Sequence, residues 1–409
     1  MRDLIQTVVI GGGQAGLAMS YHLRQAGLEH IVVERARIAE SWRTERWDSL
    51  MFQFPNWSIK LPGYAFVHQA PDDFAPKGAV VEFIQEYATR IKAPVRCNFN
   101  VAALQQDGAS QRFLIKSNGL PLEASNVVVA TGSYHQPVVP EFASSISPAV
   151  FQIHTRDYRN PGQLPPGSIL VIGSGASGAQ IAEELLQSGR RVFLSAGRHD
   201  KVPRRYRQKD LFWWLEAMGI WRLQLEHNPE YRTWRPIFTG MRGGHNIDLQ
   251  QFARDGMTLL GRLKGTDGLR LYFASDLEST LAKSEIWFLA FRQEIDRFAE
   301  THDLKHLEGD GEDQPLRRRA EATNNADALD LNAAGISAII WAGGFRYDFG
   351  WIELPVFDET GEPKARRGVC AIPGLYFLGL RRTYATGSSL LAGVGDEAAY
   401  LAEQIAARR

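Results

Sequence analysis

The sequence predicts an α/β protein made of two doubly wound parallel-sheet units, the second inserted into a discontinuous first. Three observations lead there. Residues 5–16, IQTVVIGGGQAG, run a short apolar strand into glycines spaced G-x-G-x-x-G. Residues 168–178, SILVIGSGASG, repeat that pattern. Strand-like apolar runs at 336–341 and 375–378 then follow a polar, charge-rich connection at 301–330. Together these give two Rossmann-like units divided as residues 1–160, 161–320 and 321–409.

In the first unit Ile5, Val8, Val9 and Ile10 form the strand. Gly11 allows the tight turn, Gly13 lets a pyrophosphate approach the backbone, and Gly16 lets the helix pack on the strand. The helix opens through Gln14 and Ala15, carries Leu17, Ala18 and Tyr21 on one side, and ends at Gly27. Its N-terminus offers free N–H groups and a partial positive charge. A second strand at 31–33 runs into Glu34, an acceptor for ribose hydroxyls, followed by Arg35. The second unit keeps the metre. Gly178 to Gly189 spans the same interval as Gly16 to Gly27, and Ala196 falls where Glu34 would. Two strand–turn–helix–strand units with one spacing imply two dinucleotide sites.

The acid is missing from the second unit. Ser195, Ala196 and Gly197 stand in its place, with Arg198 next and Lys201, Arg204, Arg205 and Arg207 beyond. Ser195 and Arg198 suit a 2′-phosphate, so NADPH is expected, with NADH as the alternative.

The remaining stretches follow in order. Residues 41–66 are irregular and dense in Trp, Arg and Pro. Within them Trp42, Arg43, Arg46, Trp47 and Asp48 suit contacts to a ribose and an isoalloxazine. Residues 79–92 read as an amphipathic helix on Val80, Phe83, Ile84 and Tyr87, with short strands expected at 95–101 and 113–116. A buried strand at 127–130 enters Ala130-Thr131-Gly132, a crossing between domains. Phe212, Trp213, Trp214, Met218 and Trp221 cluster at 211–221, either as packed core or as a mouth, dimer contact or membrane-surface patch. Further strands and turns are expected at 242–275. Ala342-Gly343-Gly344 resembles the Ala-Thr-Gly crossing with Gly343 for Thr. Gly395 and Asp396 lead into a C-terminal helix at 397–407, whose N-terminus suits a flavin pyrimidine.

Composition narrows the class. At roughly 100–200 residues per domain, 409 residues make two or three domains. Lys plus Arg equals Asp plus Glu at 46 each, so no global field favours nucleic acid or an anionic membrane. Cys97 and Cys370 are too far apart in sequence for a Cys-x-x-Cys pair, and no metal site is expected. No apolar run approaches the roughly 18 residues of a membrane span. The first strand begins almost at Met1, without room for a signal peptide, so a cytoplasmic location is expected.

The motifs GGGQAG at 11–16, SWRTERWDSL at 41–50, ATG at 130–132, GSGASG at 173–178 and GVGDEA at 393–398 resemble the class B flavin-dependent monooxygenases. These comprise the flavin-containing, YUCCA-like and Baeyer–Villiger enzymes. The resemblance spans nearly the whole chain and implies FAD in the first fold and NADPH in the second. It implies cofactor contacts from Arg35, Ser41, Trp42, Arg43, Trp47, Val101, Thr131 and Gly132, and from Gly173, Ser174, Gly175, Ala176, Ser177 and Gly178. His154 stands where the F-x-G-x-x-x-H fingerprint would end, although Val150 and Pro148 replace its glycine and phenylalanine. His154 therefore either touches the nicotinamide cofactor or braces the hinge.

The activity implied is hydride transfer from NADPH to FAD. Dioxygen is then activated as a C4a-(hydro)peroxyflavin that oxygenates a small organic substrate at nitrogen, sulfur or beside a carbonyl. Asn56 is the candidate donor to the peroxide, or else a turn residue. Two alternatives stay open: an FAD-dependent NAD(P)H dehydrogenase or oxidase without oxygenation, and a non-enzymatic flavin redox sensor. A homodimer also stays open.

Overall fold

The computed structural model describes residues 4–68, 70–304, 306–307, 326–381 and 383–408. The apolar run Leu4–Ile10 forms β1, helix α1 covers Gln14–Gln25, and His30–Val33 forms β2. Val8 sits between Ile31 on one side and Val127 on the other, all parallel. That central strand is buried on both faces, which is why its sequence is a near-continuous β-branched run. Helix α2 is Glu40–Thr44 and α3 is Lys77–Arg90, which lays Val80, Phe83, Ile84 and Tyr87 into the core as expected.

Strand β3, Val95–Arg96, pairs with β2, and the chain then breaks before β4, Val101–Gln106. Thus 95–101 is not one strand. Strands β5, Phe113–Ser117, and β6, Leu122–Val129, complete this part of the sheet.

The second sheet is five-stranded and parallel. Its strands are β7 (Phe151–His154), β8 (Ser168–Ile172), β9 (Val192–Ser195), β10 (Thr258–Leu260) and β11 (Ile336–Trp341), in spatial order β7-β11-β8-β9-β10. Between β8 and β9 runs α4, Ala176–Gln187, and α5 is Leu211–Ala217. The 25-residue helix α6, Leu277–Thr301, was not anticipated, although Leu277, Leu281, Phe288, Phe291, Ile295 and Ala299 mark one buried face. Strand β12, Leu375–Phe377, returns to the first sheet beside β6, and α7, Val394–Ala406, packs along α1. Most of the connection expected at 301–330 lies outside the described residues.

The crossings fall just after the Ala130-Thr131-Gly132 and Ala342-Gly343-Gly344 turns, so the sheets do not divide at 160/161 and 320/321. β7 begins before residue 160 and β11 lies after residue 320, yet both belong to the second sheet. The chain leaves the first unit at Gln136–Pro137 and re-enters at Phe345–Arg346, and these segments pair with each other as an antiparallel ribbon. A buried apolar strand reads alike in either sheet, because its composition does not encode its neighbour.

The two units are also bound side to side. Phe54 meets Phe212, Trp221 and Phe238 with ring centroids at 4.8, 5.4 and 5.4 Å. The aromatic run at 211–221 is therefore core, with Phe212 and Trp214 fully buried. Arg204, 1% exposed, donates to Asp210 at 2.9 and 2.6 Å and to the Gln53 carbonyl at 2.6 Å. This locks the inserted segment to the 52–54 stretch of the first unit. Replacing Arg204 with Met leaves Asp210 buried and unpaired, so urea unfolding should show a loss of about 3–5 kcal/mol. A loss under about 1 kcal/mol, the range of an exposed pair, would mean that the pair is solvated.

Candidate dinucleotide sites at two glycine turns

The two turns share one construction. Gly11 has φ +120°, and a Cβ on it would overlap the Ala130 carbonyl oxygen. A Cβ on Gly16 would overlap the Gly11 carbonyl oxygen. In the second unit Gly173 has φ +111°, with its Cβ position 2.6 Å from the Ala342 oxygen, and a Cβ on Gly178 would overlap the Gly173 oxygen. These four glycines serve backbone-to-backbone contact.

Gly13 and Gly175 differ. Each is the N-cap of its helix, has no side-chain cap bond, and would place a Cβ with nothing inside 4 Å. The N–H groups of Gln14, Ala15 and Gly16, and of Ala176, Ser177 and Gly178, thus have no side-chain cap, and the space beside Gly13 and Gly175 is open. Free amides, the positive helix end and an unblocked approach fit one pyrophosphate at each turn.

Glu34 is held in place by the first turn. Its Oε2 accepts from Gly12 N–H at 2.7 Å and its Oε1 from Ala36 N–H at 2.9 Å. Each oxygen keeps acceptor capacity for a hydroxyl. Gly12 went unremarked in the sequence, yet a Cβ on it would lie 2.9 Å from Glu34 Cβ. Gly12 also accepts from Ala39 N–H at 3.3 Å, which draws α2 with Ser41, Trp42 and Arg43 to the turn. Arg35 is exposed and pairs with Glu45 at 3.2 Å. Trp47 is buried with its indole N–H unpartnered. Residues flanking Glu34 are Asn98 and Phe99, whose amides donate to Ala36 and Glu34. Val101 instead heads β4. Ala130 N–H donates to Ile10 O at 2.8 Å, so the Ala130-Thr131-Gly132 turn lies directly beside the glycine turn.

Several expected ligands are spent elsewhere. Ser195 is buried and its hydroxyl donates to Gly261 O at 2.9 Å, so it is not free for a phosphate. Ser174 Oγ ties the second turn to Gly197, accepting its N–H at 3.1 Å. Lys201 pairs with Asp248 and Glu285, Arg204 with Asp210, and Arg207 with Asp296. Arg198 is exposed and, among the described residues, bonds only the Thr233 hydroxyl, at 3.1 Å.

His154 accepts from Arg156 N–H at Nδ1, so Nε2 carries the proton and donates to Gly344 O at 3.1 Å. Burial pushes its pKa down, keeping it neutral. Both nitrogens are occupied, which makes it a brace between the ends of β7 and β11 rather than a cofactor contact.

Asn56 donates from Nδ2 to Ala70 O at 2.9 Å, and it is Oδ1, an acceptor, that stays buried without a partner. One of the two amide hydrogens is thus committed to the neighbouring loop. Helix α7 starts at Val394 rather than at 397. Gly395 packs against Pro62, and Asp396 is exposed with its charge falling on His22, about two turns along α1 from Gln14. What reaches the start of α1 is Gly379, whose Cβ position lies 2.6 Å from Ala15 Cβ, and Ser389, whose carbonyl accepts from Gln14 Nε2 at 2.7 Å. These contacts join distant parts of the chain and leave no local motif.

Residues 8–224 match the family model described as pyridine nucleotide-disulphide oxidoreductase. The chain belongs to that family. It is 32% identical over 410 residues to an oxidoreductase of Geobacillus kaustophilus described as "Uncharacterized oxidoreductase CzcO-like", covering 99% of each. Over 192 residues, 44% of each chain, it is 28% identical to a probable indole-3-pyruvate monooxygenase, YUCCA3, of Arabidopsis thaliana. Its fold is that of the flavin-containing monooxygenase from Stenotrophomonas maltophilia, with TM-score 0.68, 20% identity and 99% of each chain covered. OTEMO, solved in complex with FAD and NADP, aligns with TM-score 0.54 at 14% identity over 99% of this chain and 85% of that one. The chain is thus a member of an oxidoreductase family and has the fold of the flavin monooxygenases. Cys97 and Cys370 are both free.

The contrast between the glycines is testable. Gly13→Val should fold with near-native stability as apoprotein and bind FAD at least about tenfold more weakly, a cost of roughly 1.4 kcal/mol or more. Gly16→Val should fail to fold. Stoichiometric FAD in purified Gly13→Val would remove the pyrophosphate from this turn.

Proposed function

We propose that this chain is an NADPH-dependent flavoprotein monooxygenase acting on a small organic substrate. The observation that carries the reading is the pair of open, uncapped glycine turns at Gly13 and Gly175, each with its neighbouring glycines closed by backbone. FAD, when bound, supplies the hydride acceptor and the activation of dioxygen. The chain's own work is placement and shielding. The α1 turn takes the FAD pyrophosphate and Glu34 the ribose. The α4 turn takes the coenzyme pyrophosphate, with Arg198 at its 2′-phosphate. The packed aromatics Phe52, Phe54, Phe212 and Trp221 exclude water on one side of the junction between the units. Likeness to the YUCCA enzymes and to the Stenotrophomonas monooxygenase supports oxygenation, and two free cysteines argue against disulfide chemistry.

One observation favours a second reading, an FAD-dependent NAD(P)H dehydrogenase or oxidase. Asn56 spends one of its two amide N–H groups on Ala70 and buries its Oδ1 without a partner, so at most one donor is left there to retain activated oxygen. NADPH-dependent oxygen uptake with isotopically labelled dioxygen, screened over sulfides, amines and ketones, separates the two. Label in the organic product supports the monooxygenase. Hydrogen peroxide equal to NADPH consumed, with every substrate, supports the oxidase.

Coenzyme choice is a separate test. Arg198→Ala should raise the KM for NADPH about tenfold to a hundredfold, the range of a lost charge-assisted bond, and leave the KM for NADH nearly unchanged. Equal effects on both coenzymes would move the 2′-phosphate to another residue.

A further inference from the structure

A ladder of stacked side chains stands where the two units meet. The Arg46 guanidinium lies 5.5 Å from the Trp42 ring centroid and 4.9 Å from that of Tyr134. Arg381 covers Tyr134 at 4.4 Å, and Phe345 meets the same ring edge-on at 5.0 Å. The members come from four segments: the stretch running on from α2, the turn after β6, the segment after β12 and the ribbon after β11. Arg381 N–H donates to Ser133 Oγ at 3.1 Å, which fixes the third segment to the second. Tyr134 therefore lies two residues beyond the crossing at Gly132, beside the return of the chain from the second unit.

Both guanidiniums lack a carboxylate. Among the described residues neither Arg46 nor Arg381 forms an ion pair; Arg46 donates only to the Glu45 carbonyl, at 2.8 Å, and the Arg381 side chain hydrogen-bonds the Tyr134 hydroxyl. Arg35, Arg204, Arg207 and Arg242 all have acid partners. The excess positive field shows in the titration of the phenol. Burial pushes the Tyr134 phenol up, but Arg381 and then Arg46 outweigh it and hold it below the ordinary tyrosine range. Tyr134 keeps 39% of its surface exposed, so a ligand can reach the cluster. Each pyrophosphate already has a helix N-terminus, and the 2′-phosphate has Arg198. A further anionic group is what the pair can still accept.

We propose that Arg46 and Arg381 clamp the carboxylate of an organic-acid substrate on the Tyr134 platform. This rests on the junction being the substrate site of the flavoprotein, and it narrows the substrate class to acids with an apolar body. Trp42 meets Phe52 at 5.9 Å, so an apolar wall runs on from the clamp. Guanidinium suits the role because its planar donors match a carboxylate and its face stacks on the ring.

The test uses FAD-loaded protein with phenylacetate and its neutral isostere phenylacetamide, read by calorimetry and by perturbation of the flavin spectrum. Wild type should bind the acid at least about tenfold more tightly than the amide, the size of one charge-assisted contact. Arg381→Gln should remove most of that preference and leave the Kd for NADPH unchanged, and Arg46→Gln should remove most of it in protein shown to hold stoichiometric FAD. Arg381→Lys should restore part of it, and Tyr134→Phe should keep it. Equal affinity for acid and amide in wild type, a comparison that needs no variant, overturns the clamp. So does an Arg381→Gln protein that loses NADPH and keeps the acid, since the pair would then serve a coenzyme phosphate. A Tyr134→Phe protein that gains a preference wild type lacks would show the tyrosinate to be the anion held. Acid binding without labelled product would leave the clamp standing and sink the monooxygenase reading. Labelled product without acid preference would do the reverse.

Discussion

Everything in this molecule hangs on a backbone contact made twice: a helix backbone pressed against the turn that precedes it. At Gly16 and Gly178 the helix lies so close to the Gly11 and Gly173 carbonyls that no side chain fits between. That approach sets the helix N-terminus directly over the end of the central strand. It also leaves Gly13 and Gly175 at the only position in each turn that looks outward. Removing side chains from three positions costs conformational entropy. The return is a rigid cradle of main-chain donors, repeated in two sheets of one chain.

That contact is also why so much was readable. Glycine spacing, the apolar strand before it and the distance to Glu34 are local, and each is dictated by the geometry of one turn. The fold class and both turns followed from them. Gly12 escaped because its reason, the Glu34 side chain crossing above it, is not adjacent in sequence. Ser195 was misjudged since a hydroxyl at the end of β9 can turn outward to a phosphate or inward to Gly261, and sequence does not say which. The same holds for Asn56, whose partner Ala70 comes from a loop with no motif. Gly395-Asp396 looked like a cofactor turn, yet it lies farther along α1, and what meets the start of that helix is Gly379, hidden just past an ordinary strand end, and Ser389. Helix α6 was simply missed, and its buried face was there to be counted.

The family is described by disulphide chemistry, but Cys97 and Cys370 are both free. What the junction offers is aromatic area and unpaired positive charge. Phe54 sits among Phe52, Phe212, Trp221 and Phe238, so the two units share one apolar core at this seam. Arg204, pinned between Asp210 and Gln53, adds a buried polar lock. A seam of this kind holds the two nucleotide turns at a constant separation, which preorganises whatever passes between them.

The ribbon of Gln136–Pro137 against Phe345–Arg346 has a topological meaning. Its strands lie about 5 Å apart, so the whole second unit is a closed excursion of the chain with its two ends side by side. An excursion of that shape can be lengthened, shortened or exchanged during evolution without moving the ends, and the first sheet can close by joining β6 to β12 in either case. The second unit is in that sense a cassette, and it can change independently of the first. The limit on such change is the aromatic seam, which any replacement cassette must also match.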